Sequence, residues 1–490
     1  MTKYPVTAKE KRILPWLAAV GFFMQTLDGT ILNTALPAIA ADFHESPLQM
    51  QAAIISYMLT VAMLIPASGW LADRFGTRNV FLFSIVLFAA GSLFCAESTS
   101  LSQMVIARII QGIGGALMVP VGRLAILRVF PKEEFLRAMS MVVIPGLIGP
   151  LLGPLLGGLL VQHASWPWIF LINLPIGLVG CILAFFFMPN IREHTAAFDW
   201  KGYLCFSSGI VLLSIAIQRL GEAGATFSAF LLLAIPGLFA LYAYFWHSQR
   251  HPHALFSRAL FGISSFRIGI SGNLIARLGS GALPFLTPLF LQVALGFSPT
   301  QAGLTMMPIA LGAMSTKLLA NWVVLRFGYR PVLMMNTLLL GALITGFATV
   351  NTATPYVLLL LYLALLGVLN SLQFTAMNTL TLSKLEREEA SSGNSLLSVV
   401  MQLSMSLGVA ISATLFSWFY GADVSLHNLQ ATSLQQQEII SAFHATYITV
   451  GCLSMLATLI FRHIPQRLIP QNSPAPTSTE EAPVSGDKNV

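Results

Sequence analysis

Of the 19 acidic residues, Asp28 alone lies deep within a long apolar run, "FFMQTLDGTILNTALP" at 22–37. A carboxylate in such surroundings is expensive and marks a functional site by default. Arg108, in "RIIQGIGGALMVP", is a cation at comparable depth. At 1.5 Å per helical residue, Asp28 lies roughly 12 Å and Arg108 roughly 10 Å from the same ends of their helices. Low dielectric favours the protonated acid, while a nearby guanidinium favours the carboxylate. Opposing terms of that kind make a group that gains and loses a proton as water access changes, or else a permanently ionised structural pair. Arg277, mid-run in "NLIARLGSGALP", has no acid to face in its half. It could bind an anionic substrate or reach toward Asp28. Arg123 and Lys317 lie nearer the ends of their runs, where snorkelling accounts for them.

Other chemistry is sparse. Cys95, Cys181, Cys205 and Cys452 fall singly in apolar runs without a CxxC pair, and read as small apolar side chains. His247, His251 and His253 cluster in "HSQRHPH", a polar interfacial stretch where no metal is expected. No GxxxxGK[ST] occurs, so ATP is not the direct energy source, and no cofactor is expected.

The elements that must position these residues are membrane helices. The 490 residues are 56% hydrophobic and only 9% charged, with a mean hydropathy of +0.76. Soluble domains carry roughly 25% charged residues. Apolar runs near the length of a spanning helix, about 20 residues, divide the chain into fourteen candidate helices. Six lie within 13–188, two within a central linker at 189–263, and six within 264–464. Residues 1–12 read as a basic N-terminal segment, and 465–490, rich in Pro, Ser and Thr, as a disordered tail. The first run is longer than a signal-peptide core, so it reads as an uncleaved helix. With the N-terminus inside, Arg74, Arg78, Arg128, Arg192, Arg326, Arg330, Lys384 and Arg462 all fall inside, and only Arg219 falls outside. Both termini are therefore expected in the cytoplasm. The net charge of +7 reports this orientation rather than nucleic-acid binding. The outer loops hold no carboxylate or histidine cluster suited to catalysis, so an enzyme is not expected.

The chain also repeats. "GWLADRFGTRNV" (69–80) and "NWVVLRFGYRPV" (321–332) share Trp, Arg, Phe, Gly, Arg and Val in register. Two copies on one side of the membrane imply two halves related by an axis along its normal. In the first copy, Gly69 would let its helix end close to a neighbour. Asp73 could cap a helix or pair with an arginine across a junction. In "PGLIGPLLGPLLGGLL", Gly149, Gly153 and Gly157 lie four apart, with Gly158 beside them, and leave one helix face nearly bare for close approach or sliding. Pro150 and Pro154 interrupt that helix's hydrogen-bond ladder.

The pattern Gly69, Asp73, Arg74, Gly76, Arg78 resembles the signature loop of the major facilitator superfamily, where it acts as a gate latch. Leu325 stands in place of the acid in the second copy. The glycine stripe with Pro150 resembles the family's antiporter motif, and the Arg108 helix its proton-coupling motif, with Gln111 at a matching place. "LDGTILNTALP" and "WPWIFLINLPIG" resemble segments of the family's 14-helix drug:proton antiporters, with Pro167 where an arginine is usual. The resemblance implies an all-α membrane protein of two six-helix bundles plus two central helices. It implies a monomeric multi-pass protein of the bacterial inner membrane that exports small molecules in exchange for protons by alternating access. Asp28, Arg108 and Gln111 would couple protons, and Asn33 and Arg277 are substrate candidates. Export of organic or metal-chelate anions is the alternative, resting on the excess of intramembrane cations.

Overall fold

The computed structural model describes residues 6–193, 197–220, 226–251, 254–421 and 433–465; the 466–490 tail lies outside them. Seven helices build the first half: α1 (Ala8–Asp42), α2 (Gln51–Phe75), α3 (Thr77–Ala96), α4 (Leu101–Val129), α5 (Lys132–His163), α6 (Trp168–Leu171) and α7 (Asn173–Phe187). α8 (Trp200–Arg219) and α9 (Phe227–Ser248) form the central pair. The second half holds α10 (Ala259–Gly262), α11 (Ser264–Leu289), α12 (Pro299–Phe327), α13 (Tyr329–Gly346), α14 (Tyr356–Leu382), α15 (Arg387–Tyr420), α16 (Ser433–Met455) and α17 (Ala457–Phe461). α11 runs on as a π-turn over Phe290–Ala294. No strand occurs among the described residues.

Twelve of these helices, or thirteen with bent α12 counted as one span, are long and apolar enough to cross a membrane. Fourteen were expected, and α1 makes the difference. Its 35 residues include Gln25, Asp28 and Asn33 near the middle, which dilute the apolar run below what its neighbours reach. The last helix of the first half is also not continuous: Ile172 separates α6 from α7.

Packing repeats between the halves. α1 lies on α5 as α11 lies on α15, α2 on α4 as α12 on α14, and α3 on α7 as α13 on α16. The halves meet along two seams, α2 with α15 and α5 with α12, while α8 and α9 pack on each other beside α15. Even the signature loops match. α2 and α3 join through Gly76 at φ +94°, and α12 and α13 through Gly328 at φ +80°. L side chains avoid this backbone region, so glycine is required at both joints.

One apolar core is shared by both halves at the ends remote from the basic loops. Leu36, Met50, Met104 and Trp166 of the first half belong to it together with Phe290, Phe347, Phe416 and Phe443 of the second. Toward the basic loops, each half has a core of its own, Val80, Val129 and Met188 in one and Val324, Leu380 and Phe461 in the other, and a smaller cluster joins Leu59 and Ala62 of α2 to Phe266, Leu396 and Val399 of the second half. Outward-facing residues stay apolar, with Leu232 75% and Phe239 70% exposed. Such a surface suits lipid and not water.

Candidate functional site

Asp28 on α1 is fully buried, as are Arg108 and Gln111 on α4. Arg108 Nη1 donates to Asp28 Oδ2 at 2.6 Å and to Gln111 Oε1 at 2.6 Å. Gln111 Nε2 donates to the other carboxylate oxygen, Oδ1, at 2.7 Å. The acid, the cation and the amide thus close a ring of hydrogen bonds. α4 presents Arg108 and Gln111 on one face because they stand at i and i+3.

Four further groups complete the cluster without having been singled out from the sequence. Ser92 Oγ on α3 accepts from Gln111 Nε2 at 2.8 Å. Asn173 Nδ2, at the start of α7, lies 3.4 Å from Asp28 Oδ1 and 3.4 Å from Ser92 Oγ. The Ala53 carbonyl of α2 accepts from Arg108 Nε at 3.3 Å, and the Arg108 guanidinium sits 4.2 Å from the Tyr57 ring centre. For Ser92, Asn173 and Tyr57 the only signal in the chain was a polar or aromatic type inside an apolar run, and the Ala53 carbonyl gave none. Small residues let five helices converge here: a Cβ on Gly91 of α3 would lie 2.5 Å from the Gln111 nitrogen.

The cluster can hold a charge out of water. An isolated buried carboxylate is too costly to keep ionised, yet here one oxygen receives a guanidinium and the other receives two amides. Adding a proton to Asp28 would turn an ion pair into a neutral acid beside a cation. That change re-sorts the bonds of Gln111 and Asn173.

The signature loop is ordered by charge and backbone. Asp73 is paired with Arg128 at the end of α4, and Arg128 also lies 3.5 Å from Glu193. The chain following α7 clasps the loop: Thr77 Oγ1 donates to the Pro189 carbonyl at 2.7 Å, and Glu193 N donates to the Asp73 carbonyl at 3.2 Å. Arg74 stacks over Trp70 at 5.2 Å, and Arg78 is half-buried. Gly69 does not play the expected part: a Cβ there would meet nothing within 4 Å. The close approach is at Gly76, whose added Cβ would run into the Asn190 side chain.

The bare face of α5 lies against α1. A Cβ on Gly149, Gly153 or Gly157 would collide with Thr26, Thr30 or Thr34 in turn, so one threonine ladder fills one glycine ladder. Gly158 instead faces the second half, where a Cβ would lie 2.7 Å from the Pro299 carbonyl carbon. Pro150 sits within α5 between Pro145 and Pro154 without ending the helix.

Arg277 on α11 is buried; its Nε donates to Asn273 Oδ1 at 2.8 Å and its guanidinium lies 4.6 Å from the Phe374 ring centre. Its Nη2 has no hydrogen-bond partner. Asn33 is buried on α1, and its Nδ2 turns back to the Gly29 carbonyl at 3.3 Å. Arg123 sits 5.5 Å from the Phe22 ring centre, and the Lys317 side chain lies outside the described residues.

Known proteins resemble this chain over nearly its whole length. The family described as Major Facilitator Superfamily matches residues 18–199 and 269–486. The MdtD protein of Cronobacter sakazakii, which carries a multidrug-resistance name, is 49% identical over 450 residues, 92% of this chain and 94% of its own. The MdtD protein of Pectobacterium atrosepticum is 47% identical over 458 residues, 94% of this chain and 97% of its own. Among solved structures, a bacterial homologue of the human lysosomal transporter Spinster aligns with a TM-score of 0.65 at 14% identity, covering 93% of this chain and 98% of that one. A D-xylose–proton symporter aligns with a TM-score of 0.65 at 16% identity, covering 92% and 97%. At such identities the structural likeness speaks for the fold alone. The chain belongs to the major facilitator superfamily, as a multi-pass membrane transporter of small molecules rather than an enzyme.

Proposed function

We propose that the protein is a proton-coupled exporter of drugs or toxic metabolites, working by alternating access in a bacterial inner membrane. The observation that carries this reading is the buried ring of Asp28, Arg108 and Gln111. It holds one titratable acid in the first half, ready to exchange a proton as access changes sides. The multidrug-resistance name of the MdtD relatives supports the substrate class. The packing supports the cycle: the large shared core makes one end closed, and at the other only a smaller cluster bridges the two separate cores, which makes it the more separable end. Placing the separable end, with its basic loops, in the cytoplasm puts both termini there. The Asp73–Arg128 pair then acts at the inner ends of the helices as a latch, and the glycine stripe of α5 is the surface along which α1 shifts. The protein acts as a monomer.

One cycle follows from these groups. Asp28 takes a proton from the more acidic exterior, which weakens its hold on Arg108. Inward opening lets the proton leave to the cytoplasm as substrate binds, and Arg108 stabilises the carboxylate that remains. Reconstitution into proteoliposomes with an imposed pH gradient tests the reading against a panel of cationic and anionic compounds. Gradient-driven accumulation of a cationic or neutral drug supports it; transport indifferent to the gradient refutes it.

A second reading is favoured by Arg277, whose guanidinium keeps an unpartnered Nη2 in the buried interior of the second half. A carboxylate of an organic or metal-chelate anion would satisfy that nitrogen. Accumulation of anions alone in the same assay would select this reading.

A further inference from the structure

Away from the buried ring, Asp199, His247 and His251 gather their ligand atoms within 4.8 Å of one another. Asp199 caps α8, its Oδ1 accepting from Gly202 N at 2.9 Å. Its Oδ2 accepts from Leu255 N at 3.2 Å, on the segment that leads into the second half. His247 lies in the last turn of α9 with Nε2 2.8 Å from Asp199 Oδ1. His251 follows one turn later, its N donating to the His247 carbonyl at 3.1 Å. The two imidazole rings stand 5.1 Å apart with 27° between their planes. The Asp199 side chain is only 3% exposed and that of His247 22%, whereas His251 faces solvent. The cluster therefore has a fixed base and one open side.

We propose that Asp199, His247 and His251 form a binding site for a divalent transition-metal ion, with Zn2+ as its best fit. One carboxylate and two imidazoles with a fourth position left to water match the tetrahedral N/O preference of Zn2+. His251 lies just past the end of α9, but its N–H bond to the His247 carbonyl sets it one turn on, so the two rings stand side by side and can face one ion. Zn–N and Zn–O bonds of about 2.0–2.2 Å place two ligand atoms of a tetrahedral ion roughly 3.3 Å apart. The 2.8 Å between His247 Nε2 and Asp199 Oδ1 has to open only slightly, within side-chain freedom. Gly202 N and Leu255 N orient the carboxylate from behind, as backing donors do in metal sites.

The charge also suits a cation. Burial pushes the Asp199 carboxyl up, but hydrogen bonds from Gly202 N, His247 and Leu255 N outweigh it and hold the group below the usual carboxylate range. The neighbouring Arg250 is drawn aside, its guanidinium 3.6 Å from the Trp246 ring centre. The ligands come from the two ends of the inserted α8–α9 pair, and Asp199 is tied as well to the entry of the second half. A bound ion would staple these three segments together, which replaces the expectation of no metal in "HSQRHPH".

The test uses the full chain in detergent, purified on a tag free of histidine, stripped with chelator and titrated with Zn2+ alone. One Zn2+ per chain is expected, with X-ray absorption showing two imidazole nitrogens in its shell. His251→Ala removes an exposed ring and should weaken binding by at least about tenfold, as should His247→Gln. His463→Ala, at a distant exposed histidine, should leave it unchanged. The site is overturned if the unaltered chain binds no Zn2+, if the shell holds oxygen only, or if His251→Ala binds as tightly.

Discussion

Replacing Gly153 with alanine inverts the usual effect of that substitution. Within a helix, glycine to alanine normally stabilises by about 0.5–1 kcal/mol. Here the new Cβ would collide with Thr30 Oγ1 and lie 2.9 Å from Thr30 Cβ and 3.1 Å from the Ile31 nitrogen. Thr30 has little room to yield. Its Oγ1 is bonded back to the Thr26 and Leu27 carbonyls at 2.9 and 3.1 Å and reaches the Gly149 carbonyl at 3.4 Å, and its branched Cβ has few rotamers. Overpacking of that kind costs about 1–3 kcal/mol, so it offsets the propensity gain and leaves a net loss of up to about 2.5 kcal/mol. Gly153→Leu, with more bulk, should separate α5 from α1 and stop export altogether. Thr30→Ala should partly rescue Gly153→Ala, since it removes the nearest colliding atom, Oγ1, while Cβ and the Ile31 nitrogen stay, and a double-mutant cycle isolates the pair. Thermal unfolding in detergent beside proteoliposome transport reads both effects. A Gly153→Ala protein more stable than the parent, or a well-expressed Gly153→Leu protein with normal transport, would refute the close-contact account.

Single cysteines in a cysteine-free background test the orientation: an impermeant reagent should label a cysteine at Glu45 from outside and spare one at Lys384, and the reverse pattern overturns it. Asp73→Asn removes the charge partner of Arg128 in a pair whose side chains are only 22% and 9% exposed, so stability should fall by about 1–3 kcal/mol and the export rate with it; an unchanged rate removes the latch. If anions are carried, Arg277→Ala should abolish their binding and Arg277→Lys keep part of it, because a point charge survives without the planar fork. Equal binding by all three proteins removes Arg277 from the site.

Charge was the most legible feature of the chain. A carboxylate and a guanidinium at matched depth are costly alone in lipid, and the structure joins Asp28 to Arg108 at 2.6 Å. Glycines were legible where the backbone itself demanded them, as in the repeated loop whose Gly76 and Gly328 both take positive φ. Gly69 shows the limit: its place in a motif suggested close approach, yet open space surrounds it. Neutral partners were hidden for a different reason. Ser92 and Asn173 are ordinary residues in apolar helices, and only tertiary packing of α3 and α7 brings them to Asp28 and Gln111. The partner of Asp73 was hidden likewise, because Arg128 lies at the far end of another helix. The length of α1 was clear but its apolarity was overrated: the polar residues that carry the candidate chemistry are those that weaken it as a span.

Proton release on substrate binding tests the central claim most directly. In Asp28→Asn, the new amide can still accept from Arg108, but its NH2 then faces the donors of Gln111 and Asn173 where Oδ1 had accepted both. It keeps the size of the acid and cannot titrate. In weakly buffered detergent solution, adding a transported compound to the unaltered protein should acidify the medium as Asp28 gives up its proton. Asp28→Asn should still bind the compound, with no change in pH. Equal proton release from Asp28→Asn would contradict the account and place the coupling acid elsewhere.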